Sequence, residues 1–297
     1  MVRYSKLPFR LLCRRWGCDI AYTPMIISED FVKSKEARDI EFTTSTYDRP
    51  LITQFAARSA PTLSIATQYV ANYCDGIDIN CGCPQKWVIS EGYGCALLKK
   101  PELVEDLVKH AKRSTNLPVS IKIRIAQDLQ HTLDLVQRAE RMGVSWITVH
   151  GRRSDQRSSA LVNFEAVKFV KENVKVPVVA NGNCFSLGDA REWKERTGVN
   201  GVMAARGLLQ NPALFAGFDN TPPEVVSWWV SVALQYGMSF TKIHQHLMFM
   251  LYTTHSSAEK SEFNNLKSIP ALLEYLKRRD YHFKPVDPGE SPTRVSL

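Results

Sequence analysis

The densest group of chemically capable residues is Asp78-Ile-Asn-Cys-Gly-Cys-Pro84, followed closely by Glu91-Gly-Tyr-Gly-Cys-Ala-Leu-Leu98. Asn80, Cys81, Gly82 and Cys83 sit where an apolar run gives way to small and polar residues, and glycine there lets backbone approach a ligand closely. Cys83, just ahead of Pro84, is placed to project a thiol into a pocket as nucleophile or proton donor. A buried structural cysteine is the commoner fate of this residue type. No neighbour clearly supplies the base that a thiolate nucleophile needs, so the proton-donor role, which uses a neutral thiol, fits better. Further along, Lys122 and Arg124 alternate in IKIRI, and His150 and Arg152 in TVHGR. Alternate residues of a strand point the same way. A lone buried histidine is usually a satisfied core residue. Four basic groups at neighbouring strand ends are costly to desolvate together, and point to an electron-rich ring and its substrate. Two glycine-containing turns follow, Asn181-Gly-Asn183 and Ala204-Ala-Arg-Gly207, of the kind whose N–H groups cradle phosphate after the last strands of a barrel.

The elements that must position these groups are short β-branched runs alternating with longer amphipathic stretches. Seven runs stand out: Ile20–Ile26, Leu51–Ala57, Gly76–Gly82, Val119–Ile125, Ser145–Gly151, Pro177–Asn183 and Gly201–Gly207. Helical segments such as Leu103–Arg113, Leu133–Met142, Phe164–Asn173 and Ala190–Thr197 separate them. That alternation predicts βαβ units and a parallel sheet, with ligands at the C-terminal strand ends. A (β/α)₈ barrel needs eight strands. The chain opens on MVRYSKLPFR, which reads as the loop and helix after a strand, so the first strand is expected upstream of Met1 and absent from this form.

The expected fold is therefore α/β, a TIM (β/α)₈-type barrel over residues 1–217, followed by a small all-helical unit over 218–283 and a disordered tail over 284–297. In the helical unit, Thr221-Pro-Pro-Glu224 fits a capping box, Gly237 suits a C-cap, and further helices are predicted at about 240–252 and 269–279.

Composition sets outer bounds. At 44% hydrophobic and 23% charged the 297 residues are globular, which excludes collagen-like and low-complexity arrays. No apolar run reaches the length of a membrane span, the closest being Val225–Met238 with Ser227, Ser231 and Gln235 inside it. No secretory signal opens the chain. The seven cysteines form no CxxC pair, so neither a zinc site nor a disulfide framework is expected, and no metal. An intracellular setting, cytoplasmic or nuclear, follows. The net charge of +8 falls entirely within residues 1–217, since 218–297 hold eight basic and eight acidic side chains. Such an excess suits either a polyanionic partner or an ordinary lysine-rich surface.

Taken together, LPFRLLCRR, YTPMIISEDF, QFAA, DINCGCPQ with EGYGCALL, IKIR, VHGR, NGN and AARGLLQNP resemble the tRNA-dihydrouridine synthase family, in its dihydrouridine synthase 4-like branch. The resemblance covers Met1 to about Phe215. It implies a flavoprotein in which NADPH or NADH reduces bound FMN, which then saturates the C5–C6 bond of a tRNA D-loop uridine, at 20a and 20b in this branch. It implies that Cys83 protonates C5 and that Asn80 contacts the target uracil. It implies that Gln54 hydrogen-bonds the isoalloxazine edge, that Lys122 stabilises charge near N1 and O2, and that His150 lies against the cofactor. The phosphate would rest on Asn181, Gly182, Asn183, Ala205 and Arg206. Of the family's Ala-Pro-Met-Val turn on the flavin only Met1 and Val2 remain. Arg124 and Arg152 are expected to contact substrate or phosphate. A monomer that docks tRNA through the helical unit is expected, although that unit carries no net charge. Two other functions compete: a shortened form that binds tRNA without turnover, and a flavin enzyme acting on free pyrimidines.

Overall fold

The computed structural model describes residues 3–284. Helix α1 (Leu7–Arg15) leads to two short strands, β1 (Ala21–Tyr22) and β2 (Ile26–Ile27), and then to α2 (Ser28–Lys33) and α3 (Lys35–Glu41). Strand and helix then alternate: β3 (Leu51–Ala56), α4 (Ala60–Val70), β4 (Gly76–Cys81), α5 (Lys86–Ser90), α6 (Pro101–Ser114), β5 (Val119–Arg124), α7 (Leu129–Arg141), β6 (Trp146–His150), α8 (Phe164–Glu172), β7 (Val178–Asn181), α9 (Leu187–Thr197), β8 (Gly201–Met203) and α10 (Arg206–Gln210). Helices α11 (Pro223–Gln235), α12 (Phe240–Met250), α13 (Ser257–Asn264) and α14 (Ile269–Lys277) follow. The expected α/β architecture is present. All strand pairs are parallel, in the order β1-β3-β4-β5-β6-β7-β8 with β2 also on β3. Among the described residues nothing pairs with the outer edges of β1 and β8, so the sheet curls as an open half-barrel.

The helices form where the apolar spacing predicts. α6 buries Val104, Leu107, Val108 and Ala111, and α7 buries Thr132, Leu135, Val136 and Ala139, each a one-face stripe laid on the sheet. Two large hydrophobic clusters, and a small third one beside Cys83, result among the described residues. One lies between the sheet and its outer helices and includes Ile77, Ile79, Ile121, Ile147 and Trp193. The other joins Phe9 and Leu12 of α1, Leu208 and Leu209 of α10, and Trp229, Leu247, Phe263 and Tyr275 of the helical unit.

α1 is tied down by charge as well. Arg10 and Asp48 are both buried and paired at 2.7 Å, and Arg14 reaches the other carboxylate oxygen at 3.1 Å.

Three local expectations change. The run Ile20–Ile26 is broken in two at Pro24, where the Thr23 side chain rather than its carbonyl takes the Gln54 N–H. Tyr22 pairs with Ile52 but Ile26 pairs with Phe55, so this strand carries one extra residue, a bulge. Thr221 does not cap α11; its hydroxyl donates to the Gln210 carbonyl at 2.6 Å. Pro222 precedes another proline and is held extended (ψ 152°), so the helix starts only at Pro223. Helix α13 was not expected from the sequence, though its capping box, Ser256 with Glu259, is a readable signal. Met1, Val2 and the tail 285–297 lie outside the described residues.

Candidate active site

Strand register builds the site. Gln54 of β3 lies beside Asp78 of β4, which lies beside Ser120 of β5. One step nearer the C-terminal ends, Asn80 is beside Lys122, Arg124 beside His150, and His150 beside Asn181. Period-two alternation turns all these side chains to one face, at the end of the sheet where α/β proteins bind ligands.

A continuous hydrogen-bond chain crosses the floor. Asp78, fully buried, accepts from Ser120 Oγ at 2.6 Å and from Gln54 Nε2 at 2.8 Å. Gln54 Oε1 accepts from Asn80 Nδ2 at 2.9 Å, and Asn80 Oδ1 accepts from the backbone N–H of Gly82 (3.1 Å) and Cys83 (2.9 Å). Burial pushes the Asp78 carboxyl up to about 6, against the pull of Ser120, Gln54 and Lys122. The bulge contributes too: Thr23 Oγ1 takes the Gln54 N–H at 3.0 Å, replacing the ladder partner that the break at Pro24 removes.

Cys83 is half-buried just beyond β4. The segment after it folds back so closely that a Cβ at Gly94 (φ +57°) would lie 2.7 Å from the Cys83 carbonyl. Tyr93, with Met25, Ala56 and Val88, packs beside it. The other cysteines near it, Cys81 and Cys95, are buried, and burial drives both thiols up, Cys95 to about 12.

The basic groups divide by what they touch. Lys122 Nζ donates to Asn181 Oδ1 at 2.9 Å, and Asn181 Nδ2 is itself committed to the Met203 carbonyl at 2.7 Å. Burial lowers Lys122 to about 8, with Asp78 pulling the other way. His150 accepts the Arg152 N–H on Nδ1 at 3.1 Å. Burial first, then Lys122, Arg124, Arg152 and Arg206, drive it down to about 2, so the ring is neutral and carries its proton on Nε2. Arg124 spends Nε on the Gly82 carbonyl (3.0 Å) and Nη1 on that of Arg153 (2.9 Å). Arg152 is buried and grips the Ala160 carbonyl and Asn183 Oδ1 (2.8 Å). Both arginines therefore brace loops around the mouth. Arg206 also reaches Asn183 Oδ1, at 3.3 Å, and lies over the Phe185 ring. Beneath the 181–183 turn, Trp193 donates Nε1–H to the Gly182 carbonyl at 2.8 Å and packs on Phe164.

These residues enclose a cavity of about 980 Å³ that runs from the strand ends down between β1 and β8. Gln54, Asn80, Cys83, Lys122, Arg124, His150, Asn181, Gly182, Asn183, Ala205 and Arg206 all line it, and Arg152 stands behind them. Asp78, Ser120 and Thr23 had no role assigned from sequence. Their partners are 24 to 42 residues away along the chain, and only register brings them together. A carboxylate in the otherwise apolar run GIDIN was the one available signal. Lys122, Arg124 and Arg206 line the cavity, and Arg206 meets Asn183 of the 181–183 turn. That donor set fits a planar, anionic, phosphate-bearing cofactor. Among the described residues no group of His, Cys, Asp and Glu could hold a metal ion, and no helix is long and apolar enough to cross a membrane.

Comparison with known proteins bears on the family and the fold. A family model described as dihydrouridine synthase matches residues 1–278. A human protein named tRNA-dihydrouridine(20a/20b) synthase [NAD(P)+]-like is 53% identical over 93% of this chain and 88% of its own length. A Saccharomyces cerevisiae tRNA-dihydrouridine(20a/20b) synthase is 42% identical, covering 96% of this chain and 79% of that protein. Among solved structures, the old yellow enzyme homologue from Zymomonas mobilis superposes with a TM-score of 0.50 at 8% identity, over 72% of this chain and 83% of that one. At that identity the likeness is one of fold alone.

Proposed function

The chain belongs to the dihydrouridine synthase family, and from that premise we propose that it reduces D-loop uridines of tRNA, at positions 20a and 20b, to 5,6-dihydrouridine. The observation that carries the proposal is Cys83, held by Asn80 at the mouth of a cavity that Lys122 and His150 also line.

FMN would be held along that cavity, with Lys122, Gln54 and His150 toward its ring and Asn181, Gly182, Asn183, Ala205 and Arg206 toward its phosphate. When bound and reduced by NADPH or NADH, it supplies the hydride that saturates C6 of the uracil. Cys83 Sγ–H then delivers the proton to C5, and Asn80 orients the base. Lys122 offsets negative charge on the cofactor side, while His150 offers an Nε2–H without adding a positive charge. A uracil folded into tRNA must leave its stack to enter, which suits a deep, basic mouth. Residues 1–217 would carry the chemistry and 218–283 would dock the tRNA body, largely by shape. A protein acting on tRNA in this way would work inside the cell.

The test is the visible spectrum of the purified chain, followed by NADPH-dependent conversion of unmodified tRNA. Flavin bands, turnover on tRNA and a loss of about 100-fold or more in Cys83→Ala are expected. Turnover on free uridine instead would move the protein to another substrate class. A folded, colourless chain that takes up no FMN would favour the binding-only reading, to which the open edge between β1 and β8 lends weight.

A further inference from the structure

We infer that Asp78 is a positioning residue: through Gln54 and Asn80 it sets the direction of the hydrogen-bond chain that holds the Cys83 loop. This rests on the role proposed for Cys83. An ionised carboxylate has only acceptors to offer. Facing Asp78, Gln54 must therefore turn its NH₂ inward (2.8 Å), which leaves Oε1 for Asn80 Nδ2 (2.9 Å). Asn80 is then obliged to present Oδ1 to the Gly82 and Cys83 N–H groups. The chain is directed from both ends, a carboxylate at one and two backbone donors at the other, and the two directions agree.

Asp78 touches neither the Cys83 loop nor the mouth of the site. It sits beneath Gln54, fully buried, with Ser120 on its second oxygen. A buried carboxylate with no other partner in the core is costly unless its hydrogen bonds do something that an apolar residue would not. Here it fixes an amide. Without it, the Gln54 NH₂ has no acceptor at that position, the amide loses its reason to face Asn80, and Asn80 holds the loop with one anchor fewer.

The readout is the rate at which iodoacetamide alkylates Cys83 in the purified full chain, followed by peptide mass spectrometry, which separates Cys83 from the half-buried Cys18 and the five buried cysteines. Asp78→Leu, of similar bulk but without an acceptor, is expected to raise that rate about fivefold or more, the population change for one lost hydrogen bond. Asp78→Asn keeps an oxygen toward Gln54 and turns its NH₂ to Ser120, so a rate within about twofold of wild type is expected. Gln54→Met cuts the chain at its middle link and gives the same rise if Asp78→Leu does not fold. The Asp78→Leu/Gln54→Met double variant should be no faster than either alone, because both break one path.

A wild-type rate in folded Asp78→Leu or in Gln54→Met would overturn the assignment. So would Asp78→Asn behaving like Asp78→Leu, or strictly additive effects in the double variant. Alkylation needs no turnover, so the proposed reaction is tested separately by dihydrouridine formation in the wild-type chain.

Discussion

Lys122 shows how one residue's surroundings become a pH dependence. Burial lowers its ammonium to about 8, so it is charged below that pH and neutral above it. If it offsets negative charge on the cofactor, turnover should fall as pH rises through about 8, and Lys122→Met should be slow with that limb of the profile gone. A profile unchanged in the variant would remove Lys122 from the reaction. Which residues face the cavity was legible in the sequence, because period-two alternation in IKIRI and DINCG is enough to aim them. What each one grips was not. Arg124 and Arg152 read as ligand contacts, yet much of their donor capacity goes to backbone carbonyls across loops 29 and 8 residues away. Such pairings depend on loop conformations that composition does not encode.

At the scale of elements, packing at α10 and α12 gives two predictions. A Cβ on Gly207 would fall 2.0 Å from the Cys184 carbonyl, a backbone atom that cannot swing aside. Gly207→Ala should therefore destabilise the fold by about 2–4 kcal/mol, read by denaturant titration. On α12, His246 is wedged among Phe9, Trp229 and Tyr4, its Nδ1 without a partner. Burial, with Lys242 nearby, lowers it to about 3 against an ordinary 6.5, so between those values the unfolded chain takes a proton that the native ring refuses. Stability is then lost as pH falls from 6.5 toward 3. His246→Phe should flatten that loss by about 1.4 kcal/mol per pH unit, and melting curves at pH 7 and pH 5 check it. The elements themselves were mostly readable: α6 to α9 lie where the apolar stripes put them. Apart from α13, the misses trace to single prolines. Pro24 splits a strand, and Pro223 forces Pro222 extended and denies Thr221 its cap.

For the whole molecule, the charge is lopsided while the packing is not. Residues 1–217 hold the full excess of positive charge, yet α1 shares its core with the helical unit. tRNA binding should therefore lean on barrel cations. Arg157→Ala, in the exposed loop after β6, is expected to lower the slope of log affinity against log salt by about one. Lys267→Ala, in the neutral helical unit, should leave it unchanged, and filter binding across a salt series separates the two. Trp193, hydrogen-bonded to the Gly182 carbonyl beneath the turn assigned to the phosphate, has an optical consequence. That indole lies one hydrogen bond beneath a residue lining the cavity, and an isoalloxazine along the same cavity absorbs where tryptophan emits. Loading of the barrel can thus be followed as quenching of the protein's own ultraviolet fluorescence, with Trp146 on the cavity wall as a second donor and Trp193→Phe giving the share that belongs to the buried indole, no label attached.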